Sequence, residues 1–179
     1  SLADIEKILH SKIHEERLVA LLILVPRPRI VDFYLAHLKG VNNWDLVDLS
    51  APKILGAAIF GGLTSKSLLT HLARSKNLWE RRIAIVATLH LIQHNQFSET
   101  LRIASILLHD SHDLIHKAVG WMFREVGKRN FKLAEQFVCK HAAVMPRTML
   151  RYAIERWPKK LRKEIMSVGL HFEGRKSTN

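Results

Sequence analysis

The chain lacks the features that stabilise small secreted proteins or hold proteins in membranes. Cys139 is the single cysteine among 179 residues, so an internal disulfide is excluded and a reducing cytoplasm is expected. No apolar run is long enough to span a bilayer, and the polar first ten residues do not follow the pattern of a secretory signal. We therefore expect a cytoplasmic protein without a membrane partner.

The sequence patterns of β-strands are also missing. No stretch alternates apolar and polar residues convincingly, whereas apolar residues recur at helical spacing nearly everywhere. The spacing predicts helices over residues 2–9, 16–25, 29–38, 44–61 with a bend or new turn at Pro52, 64–73, 78–94, 98–108, 113–128, 131–141, 146–157 and 159–168. We expect three antiparallel pairs among them, namely 64–73 with 78–94, 98–108 with 113–128, and 131–141 with 146–157.

An internal period connects several of these helices. The polar turns at residues 75–78 and 111–114, each before a long apolar helix, begin 36 residues apart, and Ala84 corresponds to Gly120. Helix pairs that repeat every 35–40 residues or so are typical of HEAT-like α-solenoids. We therefore predict an all-α HEAT-like superhelix with a concave groove, formed by one domain over residues 1–170 and followed by a polar tail over 171–179. A right-angled helical bundle is the alternative.

Acidic residues are scarce relative to basic ones. Asp and Glu number 16 against 28 Lys and Arg, so the formal net charge is +12. Such an excess is typical of proteins that bind nucleic acid. The charges are spread over many helices rather than gathered in one polybasic arm, which argues against a membrane surface as the partner.

Basic residues form stripes on successive helices. Lys117, Trp121, Arg124 and Lys128 recur at intervals of four, three and four, which places them on one helical face. A solenoid would align such stripes along one groove that suits a phosphate backbone, although charged stripes are usually only solvated faces. The candidate DNA-binding residues are Trp79, Arg82, Lys117, Arg124, Lys128, Arg147 and Arg151. Because Arg81 and Arg82 point about 100° apart, we expect only one of the two to face the groove.

The segment 43–50 contains the strongest candidate for chemistry. Asn43 is a capping residue, and Trp44 and Asp48, four residues apart, lie on one face of the helix that it begins. A carboxylate beside an aromatic face can stabilise a developing cation. The alternative is that Trp44 belongs to the core and Asp48 is a surface acid.

Other catalytic patterns are absent from the sequence. There is no glycine-rich phosphate loop and no nucleophile elbow. Two histidine pairs at helical spacing, His90 with His94 and His112 with His116, are too few for a zinc site, so no metal and no cofactor are expected. Cys139 lies in an apolar helical stretch, which predicts a buried, inert thiol.

Three motifs, in this order, resemble those of the DNA alkylation repair family, the AlkD-type HEAT-repeat DNA glycosylases. They are Asn-Trp-Asp-Leu-Val-Asp at 43–48, Leu-Trp-Glu-Arg-Arg-Ile-Ala-Ile at 78–85, and His-Lys-Ala-Val-Gly-Trp-Met-Phe-Arg-Glu at 116–125. The resemblance extends over residues 4–162.

The resemblance implies excision of cationic N3- and N7-alkylated purines from double-stranded DNA without base flipping. It implies that Asp48 supplies the catalytic carboxylate, that Trp44 and Trp121 hold the deoxyribose, and that Arg82 contacts the DNA backbone. It also implies a monomer in the bacterial cytosol or nucleoid, with no obligate protein partner. Two alternatives are a non-catalytic solenoid that binds distorted DNA and a HEAT-type scaffold for protein partners.

Overall fold

The computed structural model describes residues 1–173, with side-chain surroundings up to Val168. Of the tail predicted over 171–179, residues 171–173 belong to the last helix, and residues 174–179 lie outside the described residues. The described chain is all-helical and has a solenoid-like arrangement, as the sequence predicts, with no strand between residues 1 and 173. Over the same range, no helix combines the length and apolarity needed to cross a bilayer.

Thirteen α-helices follow one another along the described chain. They are α1 (Leu2–Leu9), α2 (His14–Leu24), α3 (Val31–Ala36), α4 (Trp44–Ala51), α5 (Ala57–Phe60), α6 (Ser67–Ala73), α7 (Leu78–Val86), α8 (Thr88–Gln93), α9 (Ser98–Leu107), α10 (Asp113–Arg129), α11 (Phe131–His141), α12 (Arg147–Ala153) and α13 (Lys159–Glu173). A 3-10 turn, Leu38–Gly40, precedes α4, and a π-helical segment, Pro52–Gly56, joins α4 to α5.

Side-chain caps fix the starts of the helices that carry the predicted site. The Asn43 side chain accepts a hydrogen bond from the backbone N–H of Trp44 at 2.8 Å, and Asn77 accepts one from Trp79 at 2.9 Å. His112 caps α10 in the same way through the N–H of Leu114. These contacts satisfy N–H groups that have no partner within the helix, so the polar turns determine where α4, α7 and α10 begin.

Equivalent contacts recur in the turns before α2 and α7. The Arg81 guanidinium donates to the carbonyl oxygen of Ser75 at 3.1 Å, and Arg17 donates to that of Ser11 at 2.7 Å. In both cases the arginine lies six residues after the serine. The turn at residues 11–14 is therefore built like the turn at residues 75–78.

The helices pack in two rows. The first row contains α4, α7, α10 and α12, in which each helix contacts the next. In the second row, α6 and α9 contact each other and both pack against α7. The predicted pairing of 64–73 with 78–94 is thus found in the contact of α6 with α7.

The predicted pairing of helices 131–141 and 146–157 is wrong, because both α11 and α12 pack mainly against α10. Gly120 explains the close approach of α12. A Cβ atom at Gly120 would lie 2.4 Å from the Cβ of Tyr152 and 2.5 Å from the carbonyl oxygen of Met149. Only glycine leaves room for the α12 backbone at this point.

The irregular segment between α4 and α5 packs against the break between α7 and α8. Pro52 cannot donate a backbone hydrogen bond, and the chain takes π-helical form from Pro52 to Gly56, as the predicted bend required. A Cβ atom at Gly56 would lie 2.3 Å from the carbonyl oxygen of Ala87, the residue that separates α7 from α8. The prediction of one helix over 78–94 missed this break.

Candidate functional site

Helix α4 divides its residues between the core and the surface. Leu46 and Val47 are fully buried, whereas Trp44 is 53% exposed and the Asp48 side chain retains 19% exposure. The burial of one side of α4 therefore leaves its Trp44 and Asp48 face directed away from the core. Trp44 is not a core residue, which removes the alternative that it serves packing alone.

Arg82 holds the Asp48 carboxylate from the neighbouring helix α7. The guanidinium donates through Nε to Oδ1 at 3.0 Å and through Nη2 to Oδ2 at 2.8 Å. Its Nη1 donates to the carbonyl oxygen of Leu114 on α10 at 2.6 Å. Since the Arg82 side chain is only 6% exposed, one guanidinium links three helices of the first row and fixes the orientation of the carboxylate.

This placement of Arg82 differs from the sequence expectation. The expected phosphate contact requires a guanidinium that is free to reach DNA, but all three of the hydrogen bonds above are internal. The adjacent Arg81 is also paired, with Asp110 at 2.6 Å. As expected, one of the two arginines, Arg81, is engaged in an ion pair away from the groove, but Arg82, which adjoins the groove, is ion-paired as well.

Burial raises the pKa of Asp48 above its ordinary value, and this effect exceeds the opposing influence of Arg82. The hydrogen bonds and positive charge of Arg82 lower the pKa, whereas the nearby charge of Asp45 raises it slightly further. A partly buried carboxylate with a raised pKa is poorly solvated, so it gains more from an approaching positive charge than a surface carboxylate does.

A pocket of about 360 Å³ opens beside this ion pair. Its lining residues come from all four helices of the first row, α4, α7, α10 and α12, and are Trp44, Arg82, Leu114, Lys117, Trp121, Arg124 and Tyr152. The two predicted catalytic indoles thus share one pocket. Asp48 is not among the lining residues; it adjoins the pocket through Arg82.

Carboxylates neutralise the cations of this region. Lys117 pairs with Asp113 at 2.8 Å, and Arg124 pairs with Glu155. Outside the pocket, Lys128 pairs with Glu125. Both partners of the Lys117 pair are more than 40% exposed, so water and salt weaken it.

The remaining predicted DNA-binding residues do not line the pocket. Trp79 packs half-buried against the core. Arg147 donates to the carbonyl oxygen of Met166 at 2.8 Å, while Arg151 is exposed. The structure therefore brings Arg82, Lys117 and Arg124 together and leaves Trp79, Lys128, Arg147 and Arg151 outside.

Sequence analysis missed two contributors to the site. Leu114 acts through its carbonyl oxygen, which no side-chain pattern reveals. Tyr152 enters the pocket because α12 lies so close to Gly120. The correspondence of Gly120 with Ala84 was the available signal, since a small residue marks a close helix approach, but it does not identify the partner helix.

Two other predictions concern residues away from the pocket. Cys139 is exposed, so the prediction of a buried thiol is wrong. Partial burial, with the nearby Glu135 charge as the smaller cause, raises the pKa of its thiol and favours the less reactive protonated form. Within residues 1–168, no three His, Cys, Asp or Glu side chains are grouped as metal ligands.

Comparison with known proteins agrees with this architecture. A solved structure titled "Predicted DNA alkylation repair enzyme from Enterococcus faecalis" superposes with a TM-score of 0.74 at 22% sequence identity, covering 88% of this chain and 76% of that one. At this identity the likeness establishes the fold. No curated protein matches the chain in sequence. Residues 1–157 match the family described as DNA alkylation repair enzyme, so the chain belongs to that family, whose members act in DNA repair.

Proposed function

We propose that the protein is a DNA glycosylase that removes cationic N3- or N7-alkylated purines from double-stranded DNA. The observation that carries the proposal is the Asp48 carboxylate, oriented by Arg82 next to a pocket that both Trp44 and Trp121 line. Family membership and the net charge of +12 add independent support for DNA as the partner.

The chemistry needs only one carboxylate. A cationic alkylpurine already leaves readily, so no general acid has to protonate it. As the bond between sugar and base stretches, positive charge develops on the deoxyribose. Asp48 stabilises that charge and orients the attacking water, and its poor solvation strengthens the attraction.

Arg82 serves in this proposal as a positioning residue and not as a phosphate ligand. Its two hydrogen bonds keep both carboxylate oxygens of Asp48 in place, and its bond to the Leu114 carbonyl keeps its own position. The guanidinium also favours the ionised form of Asp48, since its charge opposes the rise in pKa that burial produces.

The indoles of Trp44 and Trp121 present π faces on which a sugar and its developing charge can lie. Tyr152 adds a third aromatic ring to the pocket. The pocket is formed by side chains on four helices and approached from the surface, which fits recognition of a nucleotide that remains stacked in the duplex.

In this proposal the phosphate contacts are made by Lys117 and Arg124, the two pocket cations whose carboxylate partners are exposed. Lys117 and Arg124 each have a carboxylate partner with at least 45% exposure, so a DNA phosphate can replace that carboxylate at little cost. Arg82 has no such freedom.

The test is release of 7-methylguanine from methylated duplex DNA by the native chain and by Asp48→Asn. We expect a loss of release on the order of a hundredfold or more, with duplex affinity retained within a few-fold, because the substitution removes charge stabilisation of the transition state.

Asp110→Asn is the matched control. Asp110 is a similarly paired carboxylate, held by Arg81 at 2.6 Å and only 6% exposed, but Arg81, unlike Arg82, does not line the pocket. This variant should lose stability and keep its release rate per folded molecule. Equal release by native chain and Asp48→Asn would refute the assigned role, and tight duplex binding without any release by the native chain would favour the non-catalytic alternative.

A further inference from the structure

A second concave site lies between α6 and α9, in the other helix row. Its volume is about 750 Å³, and it is lined by Lys66, Ser67, Thr70, His71, Arg74, Ser75, Glu99 and Arg102. It shares no lining residue with the pocket that contains Trp44 and Trp121. Its volume falls within the range of small-molecule sites, roughly 300–1,000 Å³.

The charge of this groove is positive. Lys66 and Arg74 have no carboxylate within ion-pair distance in the described part of the chain. Arg102 is paired with Glu99, so these two cancel. Two uncompensated cations therefore remain, in contrast to the first pocket, where each cation has a carboxylate partner.

The same groove contains a buried hydroxyl group that has no hydrogen-bond partner. A helical threonine usually donates to the carbonyl oxygen four residues earlier, here that of Lys66. That oxygen already accepts the N–H of Leu69 at 3.2 Å and Nη2 of Arg102 at 3.0 Å. Thr70 Oγ1 is buried without a hydrogen-bond partner, so rotation of its side chain would offer a donor to a ligand.

The spacing of the two cations limits the ligand. Lys66 and Arg74 are eight residues apart along one helical wall, which corresponds to about 12 Å at 1.5 Å per residue. The two side chains are long enough to lean towards each other, so both cations can engage one ligand in the groove. Two or more linked phosphoryl groups would give each cation its own phosphate oxygens and leave further oxygens for the hydroxyl donors.

We propose that the groove between α6 and α9 binds a small anion with linked phosphoryl groups, either free or attached to a nucleoside. The groove is separate from the proposed DNA site, so the two proposals can fail independently.

Calorimetric titration of the full chain with pyrophosphate and with ADP tests the proposal. The double variant Lys66→Ala/Arg74→Ala should weaken binding by about tenfold or more, since both uncompensated cations are lost. The control Lys159→Ala/Lys160→Ala removes the same charge from two exposed lysines of α13 and should change affinity by less than about twofold.

The titrations with pyrophosphate and with ADP also distinguish a free diphosphate from a nucleotide as the ligand. Stronger binding of ADP than of pyrophosphate would indicate a nucleotide, and equal binding would indicate the diphosphate alone. The proposal is overturned if neither pyrophosphate nor ADP shows saturable binding, or if both double variants lose affinity equally. It is also overturned if Lys66→Ala/Arg74→Ala loses affinity for duplex DNA rather than for these two anions. Amide shifts on pyrophosphate addition should concentrate at residues 66–75 and 99–102, and shifts at Trp44 and Trp121 instead would also overturn it.

Discussion

Substitution of Arg82 by glutamine should destabilise the chain in a way that depends on pH. The variant removes both hydrogen bonds to Asp48 and the bond to the Leu114 carbonyl, and it leaves a carboxylate of 19% exposure without its cation. Loss of one partner of a buried pair costs about 3–5 kcal/mol. Because Asp48 keeps some contact with water, we expect the lower end, about 3 kcal/mol, or about 6–12 °C in the unfolding temperature.

The sign of the pH dependence follows from the raised pKa of Asp48. The folded chain holds the Asp48 proton more tightly than the unfolded chain does. The stability contributed by Asp48 is therefore fully present below its ordinary pKa of 3.8 and is lost as pH rises through the raised folded pKa. Without the opposing charge of Arg82 that pKa lies higher still, so the variant loses more stability and continues to lose it to a higher pH.

Unfolding temperatures of the native chain and Arg82→Gln at about pH 4.5 and about pH 8 measure this difference. We expect a deficit of about 1 kcal/mol at the acidic pH, where a protonated Asp48 can share a neutral hydrogen bond, and the full 3 or so at the alkaline one. The double variant Asp48→Asn/Arg82→Gln is compared with Asp48→Asn, because position 48 ionises in neither protein. The pH dependence of the deficit caused by Arg82→Gln should then disappear. A deficit of equal size at both pH values in the single variant would refute the reasoning.

Two further substitutions test the helix packing and the charge balance. Gly120→Ala should lower the free energy of unfolding, measured in urea, by about 1–3 kcal/mol because the new Cβ atom meets the α12 backbone. Gly127→Ala, whose Cβ would have its nearest contacts at 3.7 Å, should be neutral or stabilising. Equal effects of the two variants would refute the close approach of α12 to Gly120. Glu155→Gln should leave Arg124 with only its contact to Glu125 at 3.9 Å, so duplex binding should tighten and its salt dependence should steepen by about one unit. Glu164→Gln, on an exposed glutamate of α13, should leave the salt dependence unchanged. The same salt dependence in both variants would mean that Arg124 does not contact phosphate.

The sequence predicts those parts of the molecule that depend on near neighbours. Asn43 and Asn77 mark helix starts because a cap acts within three residues, and the fully buried Leu46 and Val47 follow from helical spacing. The Asp48–Arg82 ion pair joins residues 34 apart in sequence. It depends on how α4 stacks on α7, which a local pattern does not specify.

Packing between repeats also explains the other differences. The break at Ala87 reflects a contact with Gly56, and Tyr152 enters the pocket because Gly120 admits α12. In both cases a glycine signals that something approaches closely, but only the structure identifies the partner. The family resemblance predicted that Trp44 and Trp121 act at the same site, and both line one pocket. A family motif can carry such information because it reflects the packing of residues that are far apart in sequence.

The net charge of +12 is not concentrated in the pocket. Each of its three lining cations, Arg82, Lys117 and Arg124, has a carboxylate partner, so the pocket is close to neutral before DNA arrives. The pairs differ in exposure, however. The partners of Lys117 and Arg124 are 54% and 45% exposed, whereas the Asp48 side chain is 19% exposed.

In the proposed complex with DNA, phosphates should therefore replace the outer carboxylates first and leave the Asp48–Arg82 pair intact, because disruption of the buried pair costs more than disruption of a solvated one. Once the outer cations are engaged by phosphates, Asp48 remains the carboxylate that Arg82 fixes next to the pocket lined by the two indoles. A positively charged sugar would meet it there, in a site that DNA binding has made less accessible to water and salt.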